Sequence, residues 1–380
     1  MTRFARRPNR RAFLGWAAAS PFALSAFEGL AEGTRDVADG TADITSLVES
    51  HRREHGMPSV AAGVMKDGKL LALGASGVRK LGDATPVTAD DKYHIGSCTK
   101  AMTATLAGML VEEGKFHWSQ TLAEIFPERA AKMDNRYRGV TLELLLSHRS
   151  GAPANGSNYG DPKSPVTEQR LRYLDAITQR SPQIEPGTQY LYSNAGYIMA
   201  GAMMERVTGK AWEELIKARL FDPLGMSSAG FGPPSAPGEV NQPWGHVWKD
   251  GKFEPRYGDN PAALGPAGTV HCSLWDYLKF ADLHAAGDTR PPHLLKAATF
   301  AKLHEPGPNQ EYALGWLVAE RGWGKGRVLT HTGSNTMNFL VVWIAPKVGL
   351  SFVATANAAG GKVPQYLDGV VGALVRQYAV

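Results

Sequence analysis

The chain has 380 residues, 43% of them apolar and 20% charged, enough to bury a sizeable core. Its two cysteines exclude a disulfide scaffold and offer no zinc-finger spacing, so two inert buried thiols are expected. The net charge of +5 does not imply a nucleic-acid partner: Arg3, Arg6, Arg7, Arg10 and Arg11 stand against Glu28 alone in residues 1–31, and the remainder is close to neutral.

Asn9-Arg10-Arg11-Ala12-Phe13-Leu14 is similar to a twin-arginine export signal, and a weakly apolar stretch follows from Gly15 to about Ala26. That stretch is too short and too rich in alanine and serine for a membrane span. Residues 1–31 are therefore expected to direct export to the periplasm or beyond, with no membrane span in the mature chain. Next, Ile44, Leu47, Val48 and His51 recur at helical spacing, and Gly56 and Pro58 end the segment. Ser59 to Met65 is an apolar run, Lys66-Asp67-Gly68-Lys69 a hairpin turn, and Leu70 to Val78 the returning strand. From Ser97 the period changes. Cys98, Met102, Leu106 and Leu110 fall on one helical face, and Gly114 follows its end. The segments 142–148 and 196–209 read as helices, and the proline-bearing stretches 159–165 and 232–243 as loops. Strands return at 327–330, 339–345 and 350–356, and a last helix carries Leu367, Val370, Val371, Leu374 and Val375 on its inner face. The pattern predicts an α/β (α+β) fold: an antiparallel sheet built from residues 42–95 and 266–380 and flanked by helices, with a helical lobe, 96–265, inserted.

Three short strings carry chemistry. Ser97-Cys98-Thr99-Lys100 puts a hydroxyl and an amine one turn apart at a helix start, where backbone N–H groups and the dipole gather. Such a lysine takes the serine proton where burial or nearby charge lowers its pKa. Alone the pattern is weak, since on the order of one chance match is expected in a chain this long. A helix cap and a solvated lysine explain it equally well. Tyr192-Ser193-Asn194 adds a phenol, which shuttles a proton where adjacent ammonium groups hold its pKa down, and an amide that bonds Lys100 and substrate together. A surface tyrosine and a capping asparagine are the plain alternative. His331-Thr332-Gly333-Ser334 runs from a strand into a turn. Gly333 permits close backbone approach, and the N–H groups of Ser334 and Ser97 are candidates for an oxyanion hole. Thr332 is placed to hold a substrate carboxylate or hydroxyl.

The three strings, together with Tyr93-His94-Ile95-Gly96-Ser97, residues 145–151, Pro186-Gly187, residues 223–226, Pro266-Ala267-Gly268 and Leu314-Gly315-Trp316, resemble the serine penicillin-recognising superfamily from about Ile44 to Tyr378. The resemblance is to the branch that holds class C β-lactamases, D-alanyl-D-alanine carboxypeptidases, D-aminopeptidases and β-lactamase-like carboxylesterases. It implies that Ser97 is the acylated nucleophile and that Lys100 and Tyr192 are the base and acid pair. Asn194, His331, Thr332 and Gly333 then bind substrate, with no cofactor and no metal. His331 stands where class C β-lactamases carry lysine, which shifts the expectation from a β-lactamase to a hydrolase of small-molecule esters or peptide-like amides. A β-lactamase and a non-catalytic penicillin-binding sensor are the alternatives. Oligomeric state is left open.

Two other signals have simpler explanations. His51-Arg52-Arg53-Glu54-His55 matches an H-x-x-E-H zinc pattern, but His51 continues an apolar stripe and His55 sits beside a helix stop. His148 and Ser150 read as a helix end. No G-x-S-x-G elbow occurs.

Overall fold

The computed structural model describes residues 40–307 and 310–379, and the export segment expected at 1–31 lies outside them. The apolar runs become strands that are covered on both faces. Along Ser59–Lys66, Val60, Ala62 and Val64 enter one core while Ala61 and Met65 enter the other. Phe339–Ala345 divides in the same way, with Val341 and Ala345 on one side and Leu340, Val342 and Ile344 on the other. Period-two alternation between two apolar cores produces a continuous apolar sequence.

From edge to edge the seven-stranded sheet runs Ala42–Asp43, Lys69–Gly77, Ser59–Lys66, Leu350–Ala356, Phe339–Ala345, Gly326–Ser334, Leu317–Arg321. Every neighbouring pair is antiparallel except Ala42–Asp43 with Lys69–Gly77. The two ends of the described chain thus meet at the centre, where Val353 lies opposite Gly63. Helices Thr45–Glu54 and Val363–Tyr378 cover one face, the latter through Leu367, Val370, Val371 and Leu374. Burying each such side chain contributes about 1.5–3 kcal/mol. On the other face lie Leu274–Ala286 and, beyond it, the central helices Thr99–Glu112 and Asn194–Thr208.

Two expectations need correction. The strand leading to His331 spans Gly326–Ser334 rather than stopping at residue 330, because its pairing with Phe339–Ala345 continues through Ser334. The Thr99–Glu112 helix is not half-exposed: every residue from Thr99 to Leu110 is buried. Its small residues Ala101, Ala104, Ala107 and Gly108 let other elements pack all around it. Among the described residues no helix is long and apolar enough to cross a membrane.

Candidate active site

Ser97 lies in a short 3-10 turn, Gly96–Cys98, that runs into the buried helix. Its hydroxyl makes no cap bond at this helix start and instead meets Lys100 Nζ and the Tyr192 hydroxyl. Two glycines bring the Gly326–Ser334 strand against this turn. A Cβ at Gly333 would overlap Ile95 O and stand 2.9 Å from the Ser97 nitrogen and 2.8 Å from the Cys98 nitrogen. Gly96, at φ +52°, would direct a Cβ into the Ser334 nitrogen. The absent side chains allow the amides of Ser97 and Ser334 to share one corner.

Lys100 is fully buried. Its Nζ has three oxygen neighbours: Asn194 Oδ1 at 2.7 Å, Ala267 O at 2.7 Å and Ser97 Oγ at 3.0 Å. Burial drives its pKa well below the ordinary lysine value of 10.5. A neutral amine has two N–H bonds and one lone pair. Asn194 Oδ1 and Ala267 O accept the two N–H bonds, which leaves the lone pair for the Ser97 proton. After protonation the same three oxygens satisfy the ammonium, and the rings of Tyr192 and Tyr197 stand 4.9 and 5.5 Å from it. Asn194 is free for this work because Ser193, not Asn194, caps its helix: Ser193 Oγ accepts from the Gly196 N–H at 2.9 Å.

The Tyr192 hydroxyl donates to Ser97 Oγ at 2.7 Å. Burial pushes this phenol up, the reverse of the depressed value that proton shuttling was expected to need, so the Tyr192 hydroxyl keeps its proton for the bond to Ser97 Oγ. His148 fixes its position. At φ +58°, rare for a residue with a Cβ, His148 accepts the Leu191 N–H through its carbonyl at 2.8 Å. Its Nδ1 accepts the Ser193 N–H at 3.0 Å. The two bonds bracket Tyr192, whose ring lies 4.4 Å from the imidazole. Burial holds His148 well below the ordinary histidine value. The helix-end reading placed His148 outside the site. Its left-handed backbone is the signal that joins it to the site, and that is invisible in a residue string.

His331 points toward the same cluster but is buried. Its Nδ1 lies 2.6 Å from Thr332 O and its Nε2 3.2 Å from the Tyr312 hydroxyl. Nδ1 therefore carries the hydrogen and Nε2 accepts from Tyr312. Burial and then Lys100 push its pKa down to about 3, so the imidazole is neutral. A cavity of about 420 Å³ opens at Ser97 and is lined by Asn155, Asn194, Asn260, Ser334, Asn335 and Thr336 among others. None of its described lining residues is charged. Ser97, Asn194 and Ser334 are brought together there, whereas His331, Thr332 and Gly333 are not among the lining side chains. Tyr159, from the loop expected at 159–165, supplies part of the wall, and Asn260, Pro261 and Leu264 supply another part, while no residue of the loop expected at 232–243 lines the cavity. Trp244 instead packs on Tyr257 and under the Lys80 ammonium.

In the zinc pattern the ligand atoms of His51, Glu54 and His55 lie within 4.8 Å of one another. His55 also lies flat on Tyr366 at 3.8 Å, and burial lowers the pKa of His51. Cys98 and Cys272 are both free and buried, and burial pushes the Cys98 thiol up to about 12.

A model of the Beta-lactamase family matches residues 44–376. Penicillin-binding protein 4 of Amycolatopsis lactamdurans is 28% identical over 344 residues, covering 86% of this chain and 87% of that protein. Lovastatin esterase of Penicillium rubens is 32% identical over 184 residues, 42% of this chain and 45% of the esterase. Among solved structures, that of SurE superposes with a TM-score of 0.74 at 25% identity, covering 88% of this chain and 75% of SurE. The D-amino acid amidase of Ochrobactrum anthropi shares the fold, with a TM-score of 0.68 at 22% identity over 87% of this chain and 95% of the amidase.

Proposed function

The chain belongs to the Beta-lactamase family, and from that premise we propose that it is a serine hydrolase that cleaves an ester or a peptide-like amide through an acyl-enzyme on Ser97. The observation that carries this reading is the buried Lys100 amine, with Ser97 Oγ as the one reactive oxygen among its three neighbours. As Ser97 Oγ attacks the substrate carbonyl, its proton passes to the Lys100 lone pair. The N–H groups of Ser97 and Ser334 receive the developing oxyanion. Tyr192 gives its proton to the departing alcohol or amine, and the proton that Lys100 took from Ser97 restores the Tyr192 phenol. Water then enters by the reverse route, and the ester is hydrolysed. Asn194 orients Lys100 and offers its amide edge to the substrate. Gly333 acts through close approach, and His331 acts through Tyr312.

The substrate preference follows from charge. With His331 neutral and an uncharged cavity lining, recognition rests on amide and hydroxyl hydrogen bonds, which favour neutral esters and amides over carboxylate-bearing β-lactams. The esterase and amidase among the similar proteins agree with this direction. The export reading of residues 1–31 is retained: N-terminal sequencing of the protein from a secreting host is expected to begin near Ala26 or Ala31, and an intact Met1 start overturns it.

The test is a fluorophosphonate probe with peptide mapping, followed by turnover of p-nitrophenyl butyrate, D-alanyl-D-alanine peptides and nitrocefin. Labelling of Ser97 with turnover of the ester or peptide is expected. Labelling elsewhere overturns the mechanism, and faster turnover of nitrocefin overturns the substrate assignment. Labelling without any turnover makes the protein a binder.

A further inference from the structure

The reaction above uses neither His94 nor Asp259, yet both are buried beside the nucleophile. His94 ends the Lys92–His94 strand, two residues before Gly96. Its Nδ1 accepts the Gly96 N–H at 3.1 Å, so Nε2 carries the hydrogen. That Nε2–H meets the Asp259 carboxylate at 2.9 Å from Oδ1 and 3.0 Å from Oδ2. Asp259 Oδ1 also accepts from Asn335 Nδ2 at 3.2 Å. Asn335 Oδ1 in turn accepts the N–H groups of Met337 at 3.3 Å and Asn338 at 2.9 Å, which fixes the turn leaving Ser334. The His94 and Asp259 side chains are 0% and 5% exposed, so water does not weaken these bonds.

One carboxylate therefore reaches two backbones. Through His94 it holds the residue before Ser97, and through Asn335 it holds the residues after Ser334. Those are the two segments that bring Ser97 and Ser334 to the cavity, and they follow or end strands that do not pair with each other. We propose that Asp259 and His94 form a brace that sets the separation of the Ser97 and Ser334 amides and so tunes stabilisation of the oxyanion. Both are positioning residues. The inference rests on the acyl-enzyme reading of Ser97. An interior carboxylate fully occupied by donors from both sides costs desolvation that a plain core residue would not, consistent with a demand for placement.

The experiment compares wild type with Asp259→Asn, His94→Asn and Asn335→Ala. Folding is checked by circular dichroism, and active sites are counted by fluorophosphonate titration. kcat and KM are measured on p-nitrophenyl butyrate, and Ki is measured for a boronic acid, which becomes a tetrahedral anion on Ser97. In Asp259→Asn, kcat per titrated site is expected to fall about 10- to 100-fold with KM little changed, and boronic-acid affinity to fall in proportion. His94→Asn keeps an acceptor for the Gly96 N–H and is expected to lose less. Asn335→Ala cuts the second link alone and supplies the answer if either of the first two variants does not fold. A merely structural pair would lower stability or the titrated fraction but leave kcat per site and boronic-acid affinity unchanged, and that result overturns the brace. If wild type itself is not labelled at Ser97, the acyl-enzyme reading falls and takes the brace with it. Labelled wild type with unaffected variants removes the brace alone.

Discussion

Gly333→Ala places a methyl group between two backbones. Its carbon would stand 2.9 Å from the Ser97 nitrogen and 2.8 Å from the Cys98 nitrogen, where ordinary contact begins at 3.4 Å, and it would overlap Ile95 O. None of these atoms belongs to a side chain that can rotate away. The nitrogen contacts alone require a shift of about 0.5 Å and the Ile95 O overlap a larger one, so the strand must withdraw or the nucleophile turn tilt, at about 1–3 kcal/mol of stability. The Ser334 amide moves with the strand. Losing one oxyanion donor costs about 10²–10³ in kcat, or about 2.7–4 kcal/mol of transition-state stabilisation. We therefore expect kcat on p-nitrophenyl butyrate, normalised to titrated sites, to fall about 100-fold while KM changes by less than about threefold. Thermal melts run in parallel should record the stability cost. A variant that melts earlier but turns over at the wild-type rate would refute the argument that this contact forms the oxyanion corner.

Lys100→Ala should reduce the labelling rate of Ser97 by about 10²–10⁴, the range of a general base, without loss of fold; labelling at the wild-type rate would remove Lys100 from the proton path. Tyr192→Phe keeps the ring against His148 but removes the acid, so turnover of amides should fall more than that of esters with good leaving groups; an equal loss would argue against leaving-group protonation. Acid should unfold the protein early. Burial holds His246, His271 and His304 down to about 4 from 6.5, so between those values the unfolded chain binds protons that the native state does not. Stability should fall as pH drops through that window, by on the order of 3 kcal/mol per histidine at its foot. Urea midpoints at pH 7.5 and 4.5 test this, and equal midpoints would contradict it. Cys98 and Cys272 should be silent to a thiol reagent in the native state and react in urea.

The central strands were legible in the residue string because they are covered on both faces and their turns carry glycine, as at Asp67-Gly68 and Val348-Gly349, whereas the exposed edge strands Ala42–Asp43 and Leu317–Arg321 were not. Ser97, Lys100, Tyr192 and Asn194 were legible as residue types in short strings. Their meeting was not, because Lys100 reaches Asn194 and Ala267 across 94 and 167 positions of chain. The Thr99–Glu112 helix misled because its alanines and glycine read as neutral when every face of it is packed. The phenol misled because desolvation outweighs the Ser97 hydrogen bond, and desolvation depends on every neighbour at once. The role of His148 is marked by a left-handed backbone that its string does not show, and Asp259 carried no local pattern at all, its partners lying on the Lys92–His94 strand and in the turn after Ser334.

The central claim is that a buried, neutral Lys100 activates Ser97. The most direct test is the pH dependence of fluorophosphonate labelling, with the modified residue mapped at each pH. The account predicts labelling at Ser97 that is already at its plateau near neutral pH and declines only in acid, as the lysine lone pair is protonated. A rate that keeps climbing toward the ordinary lysine value of 10.5, or an adduct on any other residue, would contradict it.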